Sequence, residues 1–132
     1  MGAELILIIE DNALNLKLAR DVLDCEGYRT IAAMTAEEGL SLAAAERPDL
    51  ILMDVQLPAM DGVSALSELR SHERTAAIPV LVLTAFAMKN DRERFLSAGF
   101  DGYLEKPIDV RALREQVRGA LEAGPGASRN GR

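Results

Sequence analysis

Polar residues that could do chemistry follow the short apolar runs of this chain. They are three acids, one hydroxyl and one amine: Glu10, Asp11, Asp54, Thr84 and Lys106. Asp54 is the least expected of them, because it directly follows four large apolar residues in the stretch LILMDVQLP. A buried strand tolerates such a charge only when the charge is paired or bound to a metal ion. Because aspartate can form a covalent acyl phosphate, Asp54 is a candidate nucleophile for phosphoryl transfer.

The three acids would repel one another if the fold brought them together. Two unit charges 4 Å apart repel by roughly 4 kcal/mol at an effective dielectric of about 20. Either a cation is bound at such a cluster, or one acid is protonated. Carboxylates without histidine or thiolate suit Mg²⁺, which recruits phosphate oxygens as further ligands. A lysine and a hydroxyl would then contact the phosphoryl oxygens, so the set predicts a phosphoryl site.

Each of these residues also has an ordinary explanation when it is taken alone. Asp11 could cap the first helix, Thr84 suits any β-strand, and the Lys106-Pro107 step could be only a loop. His72 and Cys25 fall outside the set, on predicted helices, and are interpreted as structural. The functional interpretation therefore depends on all five polar residues occurring together.

Short apolar runs alternate with amphipathic segments five times along the chain. The predicted strands are Leu5–Ile9, Arg29–Ala33, Leu50–Met53, Val80–Leu83 and Gly102–Leu104. This alternation indicates a parallel sheet with helices on both faces, and the mixed polarity of the last strand suits a sheet edge. In such sheets ligands bind at the carboxyl ends of the strands, so the five polar residues are expected to meet there.

Helical spacing and capping signals predict a helix after each strand. In the first segment Leu14, Leu18, Val22 and Leu23 recur at helical spacing, and Gly27 stands where the helix would stop. The second helix is predicted to begin at a capping box formed by Thr35 and Glu38 and to end before Pro48. The third and fourth helices are predicted at about 62–70 and at 88–98, and the fifth along the apolar stripe of Val110, Leu113, Val117 and Leu121.

Composition limits the classes of protein that fit. The 132 residues suit one domain, and 48% hydrophobic with 27% charged residues is ordinary globular composition. The net charge of −6 argues against direct nucleic-acid binding. The longest apolar run, Leu5–Ile9, is too short to cross a bilayer, and no signal peptide is visible. With the single cysteine Cys25, a reducing cytoplasm is the expected location.

Three motifs occur in order along the chain: IIEDNALN, ILMDVQLPAMDG and VLTAFAMKNDRERFLSAGFDGYLEKPI. With them the sequence resembles the receiver domains of response regulators, the CheY-like family, and especially single-domain regulators of the DivK type and receivers of hybrid kinases. The resemblance covers nearly the whole chain. It implies an α/β fold with a doubly wound, flavodoxin-like sheet of five parallel strands in the order 2-1-3-4-5, with five helices.

The resemblance implies a receiver domain at residues 1–122. The small, polar residues at the end of 123–132, GPGASRNGR, predict a disordered tail or linker there. No DNA-binding or enzymatic output domain is expected in the chain, which stops soon after the fifth helix. The protein is then a signalling module rather than an enzyme, although such modules promote their own phosphorylation and dephosphorylation.

By the same resemblance, Asp54 accepts a phosphoryl group from a phosphohistidine on a sensor histidine kinase or a histidine phosphotransfer protein. Asp11 and Asp54 would ligate Mg²⁺ directly, Glu10 would act through water, and Gln56 would contribute its backbone carbonyl. Glu10 takes a place where this family uses either acid.

Thr84 and Lys106 would bind the phosphoryl oxygens, and Thr84 would act with Tyr103 as a switch. The switch would reshape the face made by the fourth helix, the fifth strand and the fifth helix, to which a downstream protein binds and through which dimers can form on phosphorylation. Met88, Phe95 and Tyr103 are expected in that patch, unless some of them pack in the core. Phe86 is expected to shield the acyl phosphate from water.

Other classes fit the residues less well. A phosphatase of the haloacid-dehalogenase type needs a second acid two residues after its nucleophile, where this chain has Gln56. A flavodoxin binds the phosphate of its cofactor with a hydroxyl- and glycine-rich loop, but here that loop begins with Glu10 and Asp11, which would repel phosphate unless a metal ion intervened. A metal nuclease of the acid-cluster type would need a basic surface for its substrate.

Overall fold

Five parallel strands form one sheet in the computed structural model, which describes residues 3–57, 60–85 and 91–124. The strands are β1 (Leu5–Ile9), β2 (Arg29–Ala33), β3 (Leu50–Asp54), β4 (Val80–Thr84) and β5 (Gly102–Glu105). Their order is β2-β1-β3-β4-β5, and every neighbouring pair is parallel. The predicted flavodoxin-like order is therefore confirmed.

The strands differ in burial according to their place in the sheet. Strands β3 and β4 are buried along their whole length, as expected for apolar runs covered on both faces. Strand β5 lies at the edge and alternates buried with more exposed residues, as its mixed polarity predicts. Both β3 and β4 run one residue further than predicted, so Asp54 and Thr84 are the last residues of their strands.

Five helices cover the two faces of the sheet. They are α1 (Ala13–Cys25), α2 (Ala36–Glu46), α3 (Gly62–Ser71), α4 (Asp91–Ala98) and α5 (Val110–Ala123). Side chains of α1 and α5 pack on one face with Ile6, Ile8, Leu50 and Leu52. Side chains of α2, α3 and α4 pack on the other, with Leu7, Ile9, Ile51 and Met53 among others. Because successive strand residues point to opposite faces, one apolar strand serves both halves of the core.

Short polar side chains begin the helices. Asn12 is the N-cap of α1, where its side chain accepts a hydrogen bond from the Asn15 N–H at 3.0 Å. The alternative in which Asp11 caps this helix is therefore wrong, and Asp11 remains available to the acid cluster. The capping signal at Thr35 is confirmed, because its hydroxyl accepts from the Glu38 N–H at 3.1 Å.

The apolar stripe predicted for α1 does not all face the core. Leu23 is fully buried, whereas Leu14 is 79% exposed and Leu18 is 37% exposed. Leu14 and Leu23 are nine residues apart, about two and a half helical turns, so they lie on opposite sides of the helix. The core face of α1 is instead formed by Ala19 and Leu23, with Leu16 packed beside them.

Arg70 joins three segments at the amino-terminal edge of the sheet. Its guanidinium donates to the Ile78 carbonyl at 2.8 Å, to the Gly99 carbonyl at 3.3 Å and to Asp101 Oδ2 at 3.0 Å. Asp101 Oδ2 also accepts from the Val80 N–H at 2.8 Å. The end of α3, the start of β4 and the turn between α4 and β5 are thereby fixed to one another.

Some predictions fall on residues that the structure does not describe. They are the start of the fourth helix at Met88, the shielding role of Phe86 and the tail after Gly124. Among the described residues, no helix is both long enough and apolar enough to span a membrane.

Truncating Leu23 and Leu14 separately tests which face of α1 is buried. Leu23→Ala should lower the free energy of unfolding by about 2–5 kcal/mol, because it leaves a cavity in the core. Leu14→Ala removes the same atoms from an exposed site and should change it by less than about 0.5 kcal/mol. Urea unfolding followed by circular dichroism measures both values, and equal losses would show that the face is assigned wrongly.

Candidate functional site

The five polar residues singled out from the sequence lie at one edge of the sheet. Asp54 and Thr84 end β3 and β4, Glu10 and Asp11 directly follow β1, and Lys106 directly follows β5. All five strands are parallel, so these positions share the carboxyl edge. Contacts among Glu10, Asp11, Asp54 and Lys106 show that the four charged residues meet there, and the register of the sheet places Thr84 at the same edge.

The three acids form a cluster whose members differ in exposure. One carboxylate oxygen from each of Glu10, Asp11 and Asp54 lies within 4.8 Å of the other two. Glu10 is fully buried and Asp54 is 4% exposed, whereas Asp11 is open to solvent. No other group of three or more acids, histidines or cysteines close enough to hold a metal occurs in the described ranges.

Lys106 balances part of this negative charge. Its Nζ lies 2.8 Å from Glu10 Oε1 and donates to Asp54 Oδ2 at 3.0 Å. Burial alone would lower the pKa of Lys106, but the hydrogen bonds and charges of the two acids outweigh burial and raise it. Lys106 is therefore held as a cation between two carboxylates.

Glu10 keeps a raised pKa in spite of this partner. Burial is the main cause, and the charge of Asp54 adds to it, while the hydrogen bonds from Lys106 and the Asn12 N–H act in the opposite direction. The cluster thus carries more negative charge than one lysine compensates, and a divalent cation would relieve the excess.

Two backbone amides orient the buried carboxylates. The Asn12 N–H donates to Glu10 Oε2 at 3.0 Å, and the Gln56 N–H donates to Asp54 Oδ1 at 3.0 Å. Sequence reasoning singled out the carbonyl of Gln56 but missed both amides. The signal for Asn12 was its place before the first helix, where asparagine is a favoured cap. Each of the two buried acids is therefore fixed both by a backbone donor and by the Lys106 ammonium.

Thr84 is held between β3 and β5 at the end of β4. It is fully buried, it pairs with Glu105 in the register of the sheet, and its carbonyl accepts from the Lys106 N–H at 2.8 Å. Since Asp54 pairs with the preceding residue, Leu83, the ends of three neighbouring strands stand side by side. The Lys106-Pro107 peptide bond is cis.

Tyr103 packs beside the fourth helix. Its ring stacks on Phe95 with centroids 6.0 Å apart, and Phe95 meets Phe100 edge to face at 5.9 Å. Tyr103 is half-buried, but Phe95 is only 2% exposed. Phe95 therefore packs in the core, which is the alternative that the sequence left open for part of the patch. Met88 of that patch lies outside the described residues.

The donor set fits a hard divalent cation. It offers three carboxylates within reach of one another and backbone carbonyls nearby, all oxygen ligands of the kind that Mg²⁺ prefers. His72 and Cys25 belong to other parts of the molecule, at the ends of α3 and α1, and both are exposed.

Removing the charge of Lys106 should destabilise the protein in the absence of divalent cations. Lys106→Met leaves the charges of Glu10 and Asp54 uncompensated and should lower the free energy of unfolding by about 3 kcal/mol. This value is at the low end for breaking a buried ion pair, because Lys106 is partly exposed. Adding Glu10→Gln to this variant should restore part of the loss.

The matched control for that experiment is Lys17→Met. Lys17 forms an exposed pair with Asp21, so its removal should change the unfolding free energy by less than about 1 kcal/mol. Urea unfolding in a chelating buffer measures all three variants. A loss in Lys106→Met no larger than in Lys17→Met would contradict the role of Lys106 as the internal counter-ion.

Curated proteins of similar sequence are response regulators. The polar-differentiation response regulator DivK of Brucella anthropi is 44% identical over 116 residues, which is 88% of this chain and 94% of that protein. DivK of Brucella ovis is also 44% identical over 116 residues, with the same shares of the two chains. This chain therefore matches nearly the full length of these relatives.

Solved structures of receiver domains have the same fold. The receiver domain of a sensor histidine kinase from Pseudomonas aeruginosa, solved with a magnesium ion coordinated in its active site cleft, is 35% identical with a TM-score of 0.84, covering 92% of this chain and 99% of that chain. The receiver domain of a signal transduction histidine kinase from Syntrophus aciditrophicus is 31% identical with a TM-score of 0.82, covering 92% of each chain. The sequence model of the response regulator receiver domain matches residues 6–118, and the chain belongs to that family.

Proposed function

We propose that this chain accepts a phosphoryl group on Asp54 from a phosphohistidine of a sensor histidine kinase or a histidine phosphotransfer protein, with Mg²⁺ bound beside it. The observation that carries the proposal is the place of Asp54. It ends a buried strand with Lys106 Nζ 3.0 Å from its carboxylate and two further acids within 4.8 Å. A carboxylate fixed so closely beside a cation and a cation-binding cluster suits a phosphoacceptor.

The transfer is a displacement at phosphorus. A carboxylate oxygen of Asp54 attacks the phosphorus, the bond from phosphorus to the imidazole nitrogen breaks, and the imidazole ring, which is protonated on its other nitrogen, leaves with the electron pair. The product is an acyl phosphate and a neutral histidine. Because phosphoryl transfer needs positioning and charge stabilisation more than a strong base, the absence of a histidine from the described cluster is compatible with this chemistry.

The acids would contact the metal ion in different ways. Asp11 and Asp54 would ligate Mg²⁺ directly, Glu10 through water, and Gln56 through its backbone carbonyl. Bound there, Mg²⁺ would neutralise the acids that otherwise repel the incoming phosphoryl group. Glu10 is fully buried, its Oε2 accepts from the Asn12 N–H, and its Oε1 lies 2.8 Å from Lys106 Nζ without accepting a hydrogen bond from a described residue. A carboxylate placed so suits a role through an intervening water.

Thr84 and Lys106 would bind the oxygens of the transferred phosphoryl group. Lys106 already lies against Asp54 and can follow the charge as it develops on the phosphoryl oxygens. Thr84 lies at the end of the neighbouring strand and would be drawn towards the new group. That movement would change the surroundings of Tyr103, whose ring packs on Phe95 of α4.

Exposed apolar side chains near the acid cluster favour a protein as the phosphoryl donor. Leu14 is near the start of α1, Met34 directly follows β2, and Val63 is near the start of α3, so all three lie towards the carboxyl edge of the sheet. Their exposed fractions are 79%, 43% and 41%. A partly apolar rim of this kind suits contact with another protein surface.

The proposed output is a change in protein contacts. Phosphorylation would alter the face made by α4, β5 and α5, to which a downstream protein would bind or through which two copies would pair. The chain would act as a signalling module in the cytoplasm that promotes its own phosphorylation and dephosphorylation, rather than as a metabolic enzyme. The acidic net charge of −6 disfavours direct contact with nucleic acid.

Replacing Asp54 tests the phosphoacceptor directly. Incubated with acetyl phosphate and Mg²⁺, the wild-type protein should gain one phosphoryl group by mass spectrometry, and Asp54→Asn should gain none. Asp21→Asn, which removes an exposed carboxylate on α1, is the control and should be phosphorylated like wild type. A chelator should abolish the gain in every variant. A wild-type protein that gains no mass and binds no beryllofluoride would overturn the proposal.

The coupling between Thr84 and Tyr103 can be followed optically. The chain has two tyrosines and no tryptophan, so Tyr28→Phe leaves Tyr103 as the only tyrosine reporter. In this background, beryllofluoride with Mg²⁺ should change the Tyr103 fluorescence, and adding Thr84→Ala should remove most of that change. Thr30→Ala on the opposite edge strand is the control. An unchanged response in the Thr84 variant would separate Tyr103 from the switch.

A further inference from the structure

Gly62, the first residue of α3, packs directly on the backbone of the phosphoacceptor strand. A Cβ atom built on Gly62 would lie 2.7 Å from Val55 Cα and 3.2 Å from the Asp54 carbonyl oxygen. Gly62 is buried, and its φ is not in the left-handed region. The position therefore requires glycine because of close approach rather than backbone conformation.

The crowding at Gly62 involves backbone, which leaves little room for relief. A flexible side chain could rotate away from an added methyl group, but Val55 Cα cannot move without moving the chain on both sides of it. One of those sides is Asp54, and the other is Gln56. A larger residue at position 62 would therefore displace either the start of α3 or the segment that carries the proposed site.

Hydrogen bonds fix the same segment from two directions. The Gly62 N–H donates to the Val55 carbonyl at 2.8 Å, and the Val55 N–H donates to the Leu83 carbonyl of β4 at 3.0 Å. Val55 is thus held between α3 and the neighbouring strand. The next residue, Gln56, donates its N–H to Asp54 Oδ1 at 3.0 Å and is proposed to offer its carbonyl to the metal.

We propose that Gly62 is a positioning residue for the metal and phosphoryl site. It allows α3 to seat against Val55, and this contact sets where the amide and the carbonyl of Gln56 lie relative to the carboxylate of Asp54. The inference rests on the proposed function, because it assumes that Mg²⁺ binds at the acids. It adds a residue that touches neither the metal nor the phosphoryl group and acts through the chain between them.

Two other glycines provide matched controls. Gly102 is crowded by side chains rather than by backbone, since a Cβ there would lie 2.5 Å from Leu81 Cδ2 and 2.8 Å from Gln116 Oε1, and it stands at the amino-terminal end of β5, away from the acids. Gly119 lies in α5 and has no heavy atom within 4 Å of its built Cβ. Alanine at Gly102 should cost stability alone, and alanine at Gly119 should be tolerated.

The test compares Mg²⁺ affinity with stability in these variants. Gly62→Ala should weaken Mg²⁺ binding by roughly tenfold or more, the usual effect of disturbing groups that orient metal ligands. Gly102→Ala and Gly119→Ala should bind Mg²⁺ with wild-type affinity, even if Gly102→Ala unfolds at a lower urea concentration than wild type. Titration of backbone amide resonances with Mg²⁺ measures the affinity, and circular dichroism confirms that each variant is folded under the same conditions.

The results distinguish this inference from the proposed function. If the wild-type protein binds Mg²⁺ and Gly62→Ala binds it with equal affinity, the positioning role is overturned and the proposed function still stands. Wild-type protein that binds no Mg²⁺ overturns both.

A measurement on the wild type keeps the inference testable if Gly62→Ala does not fold. Mg²⁺ should slow hydrogen exchange of the Gly62 amide. If the position of this segment strengthens Mg²⁺ binding, then bound Mg²⁺ must by linkage stabilise the segment in that position. The Gly39 amide, which donates to the Thr35 carbonyl inside α2, is the control and should be unaffected. Equal exchange of the Gly62 amide with and without bound Mg²⁺ would contradict the role.

Discussion

The repulsion among three acids at the carboxyl edge of the sheet is the constraint on which the rest of this structure depends. Glu10 and Asp54 are buried, and Lys106 is the cation that contacts both of them. Such a cluster is tolerable because the ends of β1, β3 and β5 hold its members in place and backbone amides donate to Glu10 Oε2 and Asp54 Oδ1. The charged site and the rigid apolar sheet therefore depend on each other. The sheet places the charged groups accurately, and the stability of the sheet depends on compensation of the charges at its strand ends.

The excess of negative charge also explains why the site would respond to both a metal and a phosphoryl group. One lysine cannot neutralise three carboxylates, so a divalent cation is attracted whenever it is available. A phosphoryl group that arrives on Asp54 brings new charge and would compete with Glu10 for the same ammonium. Lys106 is thus placed where a change of partner has direct electrostatic consequences for the end of β5, on which Tyr103 also lies.

The strands, the helices and the charged residues at the sheet edge could be predicted from local patterns in the sequence, whereas the order of the strands came from the family resemblance. Apolar runs marked the strands, and the polar residues after four of the five runs marked the edge where Asp54 and Lys106 meet. Features that depend on packing between distant segments could not be predicted in this way. The burial of Phe95 and the closeness of Gly62 to Val55 are set by how helices lie on the sheet. Sequence spacing alone does not contain that information.

The clamp formed by Arg70 has a consequence for how α4 could respond. Arg70 holds the Gly99 carbonyl, which directly follows α4, at the edge of the sheet opposite to the acids. The carboxyl-terminal end of α4 is thus tied through Arg70 to the Ile78 carbonyl and to Asp101. If phosphorylation displaced the other end of α4, as the proposed switch requires, the helix would tilt about this tied end rather than translate along the sheet.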